Sequence, residues 1–254
     1  MAMKLKDKVA VITGGNSGIG IATAREFAAN GARLAIFGRN RETLERAQDG
    51  LGGDTLAVQG DVRNLRDLDA LFAAVAGRFG KIDVLVANAG IAKFAPVEAL
   101  SETLFDEVCG VNFKGLFFTV QKALPQLRDG ASVILVGAAD ADKQGRVGTS
   151  VYTATKAAVR ALARSFSVEL LQRRIRVNVL SPGMTDTPII TREGGMPGAS
   201  PEEIAALITR LIPLKRRGTP EEMAKAMLFL ASSDSAYFVG TELAPDGGLT
   251  QLVA

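Results

Sequence analysis

Six short runs of apolar, often β-branched residues are separated along this chain by longer segments in which apolar residues recur with helical spacing. The runs are Val9–Thr13, Arg33–Phe37, Thr55–Gln59, Val84–Ala87, Ser132–Val136 and Val177–Leu180. They are largely apolar rather than alternating, which is typical of parallel strands covered on both faces. The clearest helical segments are Ile19–Ala29, Arg41–Asp49, Leu65–Phe79, Ser101–Leu127 and Ser150–Leu171. The alternation predicts an α/β fold, a doubly wound parallel sheet with helices on both faces.

Composition excludes several classes of protein. The 254 residues include no histidine, which excludes Ser-His-Asp and Cys-His catalysis and histidine-ligated metals, and we expect no metal site. The single Cys109 excludes an intramolecular disulfide. A formal net charge of +3 favours neither nucleic acid nor a membrane surface as a partner. Without a signal-peptide core or an apolar run of about 18 residues, we expect a cytoplasmic protein.

One segment, residues 185–220, interrupts the alternation. It is rich in Gly, Pro and other turn formers around one short helix, and it follows the sixth strand. Open α/β sheets bind ligands beyond the carboxyl ends of their strands. The segment is either an ordinary surface insertion or a substrate lid, and its length favours the lid because long excursions inside compact domains tend to be functional. No linker divides the chain, so we predict a single domain over residues 1–254.

The first strand runs into the sequence TGGNSGIG, after which a helix begins. Glycines in such a loop allow a tight turn and close approach of the backbone to a pyrophosphate, and the helix N-terminus offers free N–H groups to the anion. The position after a strand and before a helix indicates a Rossmann-type dinucleotide site rather than a structural turn. The candidate residues of this loop are Gly14, Asn16, Ser17, Gly18, Ile19 and Gly20.

The end of the second strand indicates which dinucleotide binds. Proteins that prefer NAD usually carry Asp or Glu there, to bind the ribose 2′-hydroxyl. This chain has Gly38-Arg39-Asn40-Arg41 instead, and the two guanidiniums would pair with a 2′-phosphate. The alternative is that Arg39 and Arg41 are solvated residues at the start of a helix. We predict NADP(H), with NAD as the less favoured cofactor.

With this loop, further motifs resemble the short-chain dehydrogenase/reductase family. They are Asp61-Val62, Ala87-Asn88-Ala89-Gly90 (NNAG in the family), Val111-Asn112-Phe113, Tyr152-Thr153-Ala154-Thr155-Lys156 (YxxxK), Pro182-Gly183 with Thr187 (PGxxxT) and Asp246-Gly247-Gly248. The resemblance covers nearly the whole chain and implies a homotetramer or dimer formed through the helices predicted at 101–127 and 150–171. It also implies further cofactor-binding residues, namely Asp61, Val62, Asn88, Ala89, Gly90, Tyr152, Lys156, Pro182, Gly183, Thr185 and Thr187.

The predicted catalytic residues are Tyr152, Lys156 and Asn112. Tyr152 and Lys156 are four residues apart on a predicted helix and therefore share a face. A phenol with a reference pKa of about 10 is a poor base at neutral pH, and we expect the ammonium of Lys156 and an oxidised nicotinamide to lower that value. Tyr152 would then exchange a proton with a substrate oxygen. The resemblance gives Lys156 a role in holding the nicotinamide ribose and Asn112 a role in a proton relay.

One family residue is missing, the serine that hydrogen-bonds the substrate carbonyl. Counting back 13 residues from Tyr152 reaches Ala139, and counting forward from the strand end reaches Ala138. Loss of a comparable donor lowers rates by a factor on the order of 10² to 10³. Ionised Asp140 and Asp142 cannot donate, and their charge would raise the pKa of Tyr152. Thr149 and Ser150 carry hydroxyls, for which helix N-capping is the favoured role.

The sequence therefore predicts an oxidoreductase that interconverts a carbonyl and an alcohol by hydride transfer, weakened by the missing serine. The alternative is a cofactor-binding protein without turnover, with a regulatory or structural role. The predicted substrate is a small neutral ketone or alcohol, because the expected pocket segments, residues 92–94, 138–147 and 184–197, are mostly apolar.

Overall fold

A computed structural model describes residues 3–52, 54–141, 143, 145–188 and 209–252. Seven parallel strands form one sheet in the order β3-β2-β1-β4-β5-β6-β7. The strands are β1 Val9–Thr13, β2 Arg33–Gly38, β3 Leu56–Gln59, β4 Ile82–Ala87, β5 Leu127–Val136, β6 Arg176–Leu180 and β7 Glu242–Leu243. The predicted doubly wound sheet is confirmed. Its strand order reverses between β1 and β4, which opens a crevice at their carboxyl ends.

Seven helices of eight or more residues lie in the described part of the chain. They are α1 Gly18–Ala29, α2 Arg41–Leu51, α3 Leu65–Phe79, α4 Glu102–Cys109, α5 Leu116–Ala123, α6 Ser150–Leu170 and α7 Pro220–Ala231. One group of buried apolar residues joins the sheet to α3, α5 and α6, and a second joins its other face to α1, α2 and α7. The central strands are therefore covered on both sides, which explains why they are apolar throughout.

The helix predicted from Ser101 to Leu127 is wrong in its extent. A π-helical segment, Gly110–Gly115, separates α4 from α5, and the chain leaves the helix after Ala123 so that Leu127 already belongs to β5. A Cβ atom at Gly115 would lie 2.7 Å from a side-chain carbon of Val62, so glycine allows this segment to pack closely. Such π segments often occur at functional sites.

The sequence analysis did not predict β7 or α7. The two residues of β7 pair with β6, too short a segment for periodicity to detect. The N-terminus of α7 is a capping box in which Thr219 and Glu222 each bond the backbone at the other residue. The edge strand β3 is only partly buried, unlike the predicted pattern of fully covered strands.

The segment predicted as a lid is described only at its two ends. Thr185 pairs with Gly218 in an isolated bridge, and the N–H of Asp186 donates to the carbonyl of Gly218 at 2.9 Å. Residues 189–208, which include much of the predicted lid, lie outside the described residues. Among the helices that are described, none combines the length and apolar character needed to cross a membrane.

Candidate active site

The glycine-rich loop lies at the crevice between β1 and β4 and follows a course that requires glycine. Gly14 and Gly18 have φ angles of 65° and 51°, which L side chains rarely adopt. A Cβ atom at Gly20 would collide with the carbonyl oxygen of Gly14. The loop can therefore bring its backbone close to a bound anion at the start of α1, as a dinucleotide pyrophosphate requires.

The loop is fixed from the neighbouring strand by Asn88 and Thr13. The Asn88 side-chain amide donates to the carbonyls of Thr13 (2.9 Å) and Gly14 (3.2 Å). The Thr13 hydroxyl accepts from the N–H groups of Asn88 and Ala89, each at 3.1 Å. Asn88 thus positions the loop through its side chain. The sequence analysis did not include Thr13 among the site residues, although it begins the TGxxxGxG motif.

A cavity of about 520 Å³ opens beside this loop. Nine of the predicted cofactor residues line it, namely Gly14, Asn16, Ser17, Arg39, Asn40, Asp61, Val62, Ala89 and Gly90. The other lining residues are Phe37, Gly38, Thr43, Gly60, Ile91 and Val111. It extends from the glycine loop past the end of β2 to the segment after β3. Its position fits the adenosine half of a dinucleotide bound across the crevice.

The basic residues at the end of β2 have different environments. Asn40 is the N-cap of α2 and accepts from the N–H of Thr43 at 2.9 Å. Arg41 is exposed and forms an ion pair with Glu45 at 2.7 Å, so it is the solvated first-turn residue of the alternative interpretation. Arg39 lines the cavity and forms no ion pair within the described residues. Asn16 joins the two loops by donating to the Thr43 hydroxyl at 2.6 Å.

Asp61 is held by Arg63 on the far side of the same cavity. The Arg63 guanidinium donates to the Asp61 carboxylate at 3.0 and 2.7 Å. Burial acts to raise the pKa of Asp61, but the hydrogen bonds and charge of Arg63 outweigh it and hold that pKa below its usual value. Asp61 is therefore an ionised acceptor at this edge of the cavity, and Val62 beside it is buried.

The three predicted catalytic residues come from α6 and the π segment. The Lys156 ammonium donates to the carbonyl of Val136 at 2.9 Å. A Cβ atom at Gly90 would lie 3.3 Å from Nζ of Lys156 and 3.4 Å from Oδ1 of Asn112. These two polar groups therefore flank Gly90, and only glycine leaves the space between them open. Asn112 is also fixed to Ile91, exchanging two hydrogen bonds of 2.9 Å with its backbone.

The pKa of Tyr152 differs from the expectation. Burial, and secondarily the negative charge of Asp140, raise the pKa of Tyr152 to about 12. The expectation that Lys156 lowers the pKa of Tyr152 is wrong. The prediction that the charge of Asp140 raises this pKa is confirmed. The effect of an oxidised nicotinamide stays a prediction. Burial lowers the pKa of Lys156 to about 8, since its side chain is only 5% exposed. Both groups are thus held toward their neutral forms.

No serine hydroxyl stands in the loop after β5, where Ala138 and Ala139 are buried. The N–H of Ala139 donates to the carbonyl of Pro182 at 3.0 Å. Arg160 donates to the carbonyls of Ala138 (2.6 Å) and Ala139 (3.3 Å) and pairs with Glu242 at 2.6 Å. The sequence analysis missed Arg160, although its position four residues after Lys156 places it on the same face of α6.

The hydroxyl-bearing residues before Tyr152 do not replace the serine in this structure. Thr149 occupies the N-cap position of α6, but its side chain makes no capping bond and donates to the carbonyl of Arg146 at 2.9 Å. The favoured capping role of Thr149 is therefore wrong. Ser150 is exposed. Asp140 pairs with Arg146 at 3.1 Å, and Asp142 lies outside the described residues.

The predicted nicotinamide-side residues follow β6, and the last of them lies beside the glycine-rich loop. The N–H of Gly183 donates to the carbonyl of Pro245, and the Thr185 hydroxyl donates to the carbonyl of Gly183, both at 3.1 Å. A Cβ atom at Gly18 would lie 3.5 Å from the side chain of Thr187. This part of the PGxxxT motif is therefore next to the phosphate loop, across the mouth of the crevice.

Comparison with known proteins gives consistent results. A family model described as enoyl-(acyl carrier protein) reductase matches residues 14–250. Oxidoreductase asL5 of Sarocladium schorii is 43% identical, and the match covers 98% of each chain. A short-chain type dehydrogenase/reductase from Mycobacterium marinum is 32% identical, with a TM-score of 0.90 over 98% of both chains. A 3-ketoacyl-(acyl-carrier-protein) reductase from Brucella melitensis, complexed with NADH, is 32% identical, with a TM-score of 0.88 over 97% of this chain and 99% of the other.

Proposed function

Because the chain belongs to the short-chain dehydrogenase/reductase family, we propose that it is an NADP(H)-dependent oxidoreductase that interconverts a small carbonyl compound and an alcohol. The observation that carries this proposal is that Lys156 and Asn112 flank Gly90, with Tyr152 one turn before Lys156 on α6. A protein that only bound a nucleotide would have no need for a buried lysine beside a partly buried phenol at the crevice. We further propose that residues 1–254 form a single domain of a cytoplasmic protein, with a substrate lid at 185–220.

The cofactor fits the residues along the crevice. Gly14, Gly18 and Gly20 would face the pyrophosphate with Asn16, Ser17 and Ile19. Asp61, Val62, Ala89 and Gly90 would line the adenosine side, with Asn88 supporting them. The nicotinamide side would be formed by Tyr152, Lys156, Pro182, Gly183, Thr185 and Thr187.

The preference for NADP(H) depends mainly on Arg39. It lines the cavity and forms no close ion pair in the described chain, although its charge acts on Asp61 across the cavity, whereas Arg41 is already paired with Glu45. The N-terminus of α2 adds a positive dipole at the same place. The Brucella melitensis relative was solved with NADH, so the fold alone does not imply NADP(H), and we assign the choice to the residues after β2. NAD is the alternative cofactor.

In the proposed reaction, NADPH supplies the hydride that reduces the carbonyl carbon. Tyr152 donates its phenolic proton to the carbonyl oxygen, so the products are an alcohol and NADP⁺, and a solvent proton restores Tyr152. With a pKa of about 12, Tyr152 is protonated and available as a donor throughout the physiological range, but it is a weaker acid than a group whose pKa lies near the working pH. Lys156 would bind the nicotinamide ribose, and Asn112 would support proton transfer to the site.

We infer that catalysis is weakened, because Ala138 and Ala139 provide no hydroxyl to bind the substrate carbonyl. A preorganised donor of this kind contributes a factor on the order of 10² to 10³ in rate. The same observation favours the second candidate function, a cofactor-binding protein without turnover. The two differ in whether Tyr152 changes the rate of NADPH oxidation.

The decisive experiment combines binding and turnover. NADPH and NADH are titrated by fluorescence, and NADPH oxidation is then followed with a panel of ketones. We expect tighter binding of NADPH, and slow turnover that Tyr152→Phe abolishes. Arg39→Ala should weaken NADPH binding by about tenfold and leave NADH binding within twofold, as expected for loss of one charge-assisted contact. Arg41→Ala is the matched control and should change neither.

Serine substitutions distinguish the two candidate functions. Ala138→Ser or Ala139→Ser should raise turnover if only the donor is lost. NADPH binding without turnover in the wild type and in both serine variants would instead support the cofactor-binding protein. Failure to bind either nucleotide would contradict both.

We also propose a homo-oligomer, a tetramer or a dimer. Phe105 and Phe113, on or next to α4, and Val168 and Leu171, at the end of α6, are exposed large apolar side chains on the helices from which association was predicted. Such residues favour burial against another surface. Light scattering during size-exclusion chromatography gives the mass, and a monomer at micromolar concentration would contradict the proposal.

A further inference from the structure

Three exposed apolar side chains lie on two joined loops near the start of α6, and one of them, Phe94, contacts Tyr152. Phe94 and Val97 follow β4 and are 41% and 75% exposed, and Val147, in the loop before α6, is 91% exposed. The two loops are joined where the N–H of Ala95 donates to the carbonyl of Gly148 at 3.0 Å. We call Phe94, Val97 and Val147 the apolar rim. Large apolar side chains grouped in this way at a crevice usually mark a binding surface.

Phe94 of the apolar rim is in direct contact with the ring of Tyr152. The rings of Phe94 and Tyr152 meet edge to face, with centroids 5.5 Å apart and planes at 76°. This is a favourable aromatic geometry that leaves much of the Phe94 ring exposed for a further contact. Whatever packs on Phe94 is therefore next to the phenol that exchanges the proton.

The charged side chains near the rim form pairs with one another. Lys93, adjacent to Phe94, pairs with Glu107 at 3.0 Å, and Arg146, adjacent to Val147, pairs with Asp140 at 3.1 Å. Paired charges bind an ionic substituent less strongly than single ones, because the pair must first be broken. The rim is thus better suited to an apolar substituent than to a carboxylate or phosphate.

We infer that the apolar rim binds a large apolar substituent of the substrate and that Phe94 determines specificity. The substrate class is ketones, and the corresponding secondary alcohols, that carry an aryl group next to the reacting carbon. The aryl ring packs on Phe94 while the carbonyl oxygen faces Tyr152. This inference rests on the proposed oxidoreductase function and assigns the substrate class of the same site.

The test compares two ketones of different size, acetophenone and 2-butanone, with NADPH as the reductant. The wild-type protein should have the higher kcat/KM for acetophenone. Phe94→Ala should lower that value by about three- to tenfold, the range for one aromatic contact, and change the value for 2-butanone less than twofold. Phe94→Leu should retain most of the activity. Tyr237→Ala is the control, since Tyr237 is a fully exposed aromatic residue that precedes β7, at the amino ends of the strands and away from the crevice.

A binding measurement makes the test independent of turnover. Saturation-transfer NMR on the NADPH-saturated protein should detect acetophenone, with a weaker signal in Phe94→Ala and an unchanged signal in Tyr237→Ala. Equal loss of activity with both ketones would overturn the inference, because Phe94 would then only support Tyr152. Turnover without preference for acetophenone would also overturn it and leave the proposed function intact. NADPH binding without turnover of any ketone would overturn the proposed function itself.

Discussion

Replacing Lys156 by methionine should stabilise the folded protein at neutral pH, although it removes a residue of the proposed active site. Lys156 is almost fully buried, and burial lowers its pKa from the ordinary value of 10.5 to about 8. That difference corresponds to about 3 kcal/mol of unfavourable free energy when the side chain is charged. Methionine has a similar length and no charge, and its flexibility allows it to fill the same space.

The stability gained by Lys156→Met is reduced by the loss of one hydrogen bond, and it depends on pH. The substitution leaves the carbonyl of Val136 without the Lys156 ammonium, which costs about 1–2 kcal/mol. The net gain at pH 7 is therefore about 1–2 kcal/mol. Between pH 8 and 10.5 the unfolded chain binds more protons than the folded protein, so the wild-type protein becomes more stable as pH rises. The advantage of methionine should shrink by about 2 kcal/mol between pH 7 and 9.5.

Urea denaturation of the wild type and Lys156→Met at pH 7 and 9.5 measures both quantities. Lys114→Met is the control, since Lys114 is exposed in the π segment, and its effect should be within about 0.5 kcal/mol at both pH values. A Lys156→Met protein that is less stable than the wild type at pH 7, or a difference that does not change with pH, would refute the reasoning.

Three further substitutions test other parts of the site. Gly20→Ala places a methyl group against the loop backbone, and NADPH binding by fluorescence should fall at least tenfold, whereas unchanged binding would contradict the assigned loop role. Arg160→Met leaves Glu242 unpaired and should lower the free energy of unfolding, measured in urea, by about 2–4 kcal/mol, with partial recovery in Arg160→Lys. Equal stability of the wild type and both variants would show that the pair of Arg160 and Glu242 does not stabilise the fold. Asp140→Asn removes a charge that raises the pKa of Tyr152, so the rise of the alcohol oxidation rate with pH should move to lower pH, and an unmoved profile would show that this charge does not act on Tyr152.

The sequence predicted those elements well whose apolar pattern repeats over several turns or whose conformation depends on adjacent residues. The helix at Leu65–Phe79 has the predicted boundaries, because its apolar face repeats over four turns and ends at Gly80. The glycine loop was found because its conformation depends on residues adjacent in sequence. The helix predicted from Ser101 to Leu127 had a continuous apolar pattern too, but that pattern does not show a π interruption or the start of the next strand.

The environment of each site residue could not be predicted in the same way. Arg39 and Arg41 look equivalent in sequence, yet the structure pairs Arg41 with Glu45 and leaves Arg39 at the cavity. The pKa of Tyr152 depends first on burial and then on the charge of Asp140. Asn88 was assigned to the cofactor because of its motif, whereas its side chain holds the loop. The burial of Tyr152 and the bonds of Asn88 depend on the tertiary structure, whereas the pair of Arg41 and Glu45 is an i,i+4 contact that helical spacing could have indicated.

The bridge between Thr185 and Gly218 has a consequence for the evolution and redesign of this protein. It brings the two ends of a long excursion together, and Arg217 adds an ion pair with Asp186 at 3.3 Å beside it. For a segment whose ends are already joined, doubling the number of intervening residues adds only about 0.6 kcal/mol of closure entropy. The chain between 186 and 217 can therefore be lengthened, shortened or exchanged for that of a relative at little thermodynamic cost. Under the proposed lid role of this segment, such exchanges would change the substrate preference and keep the fold.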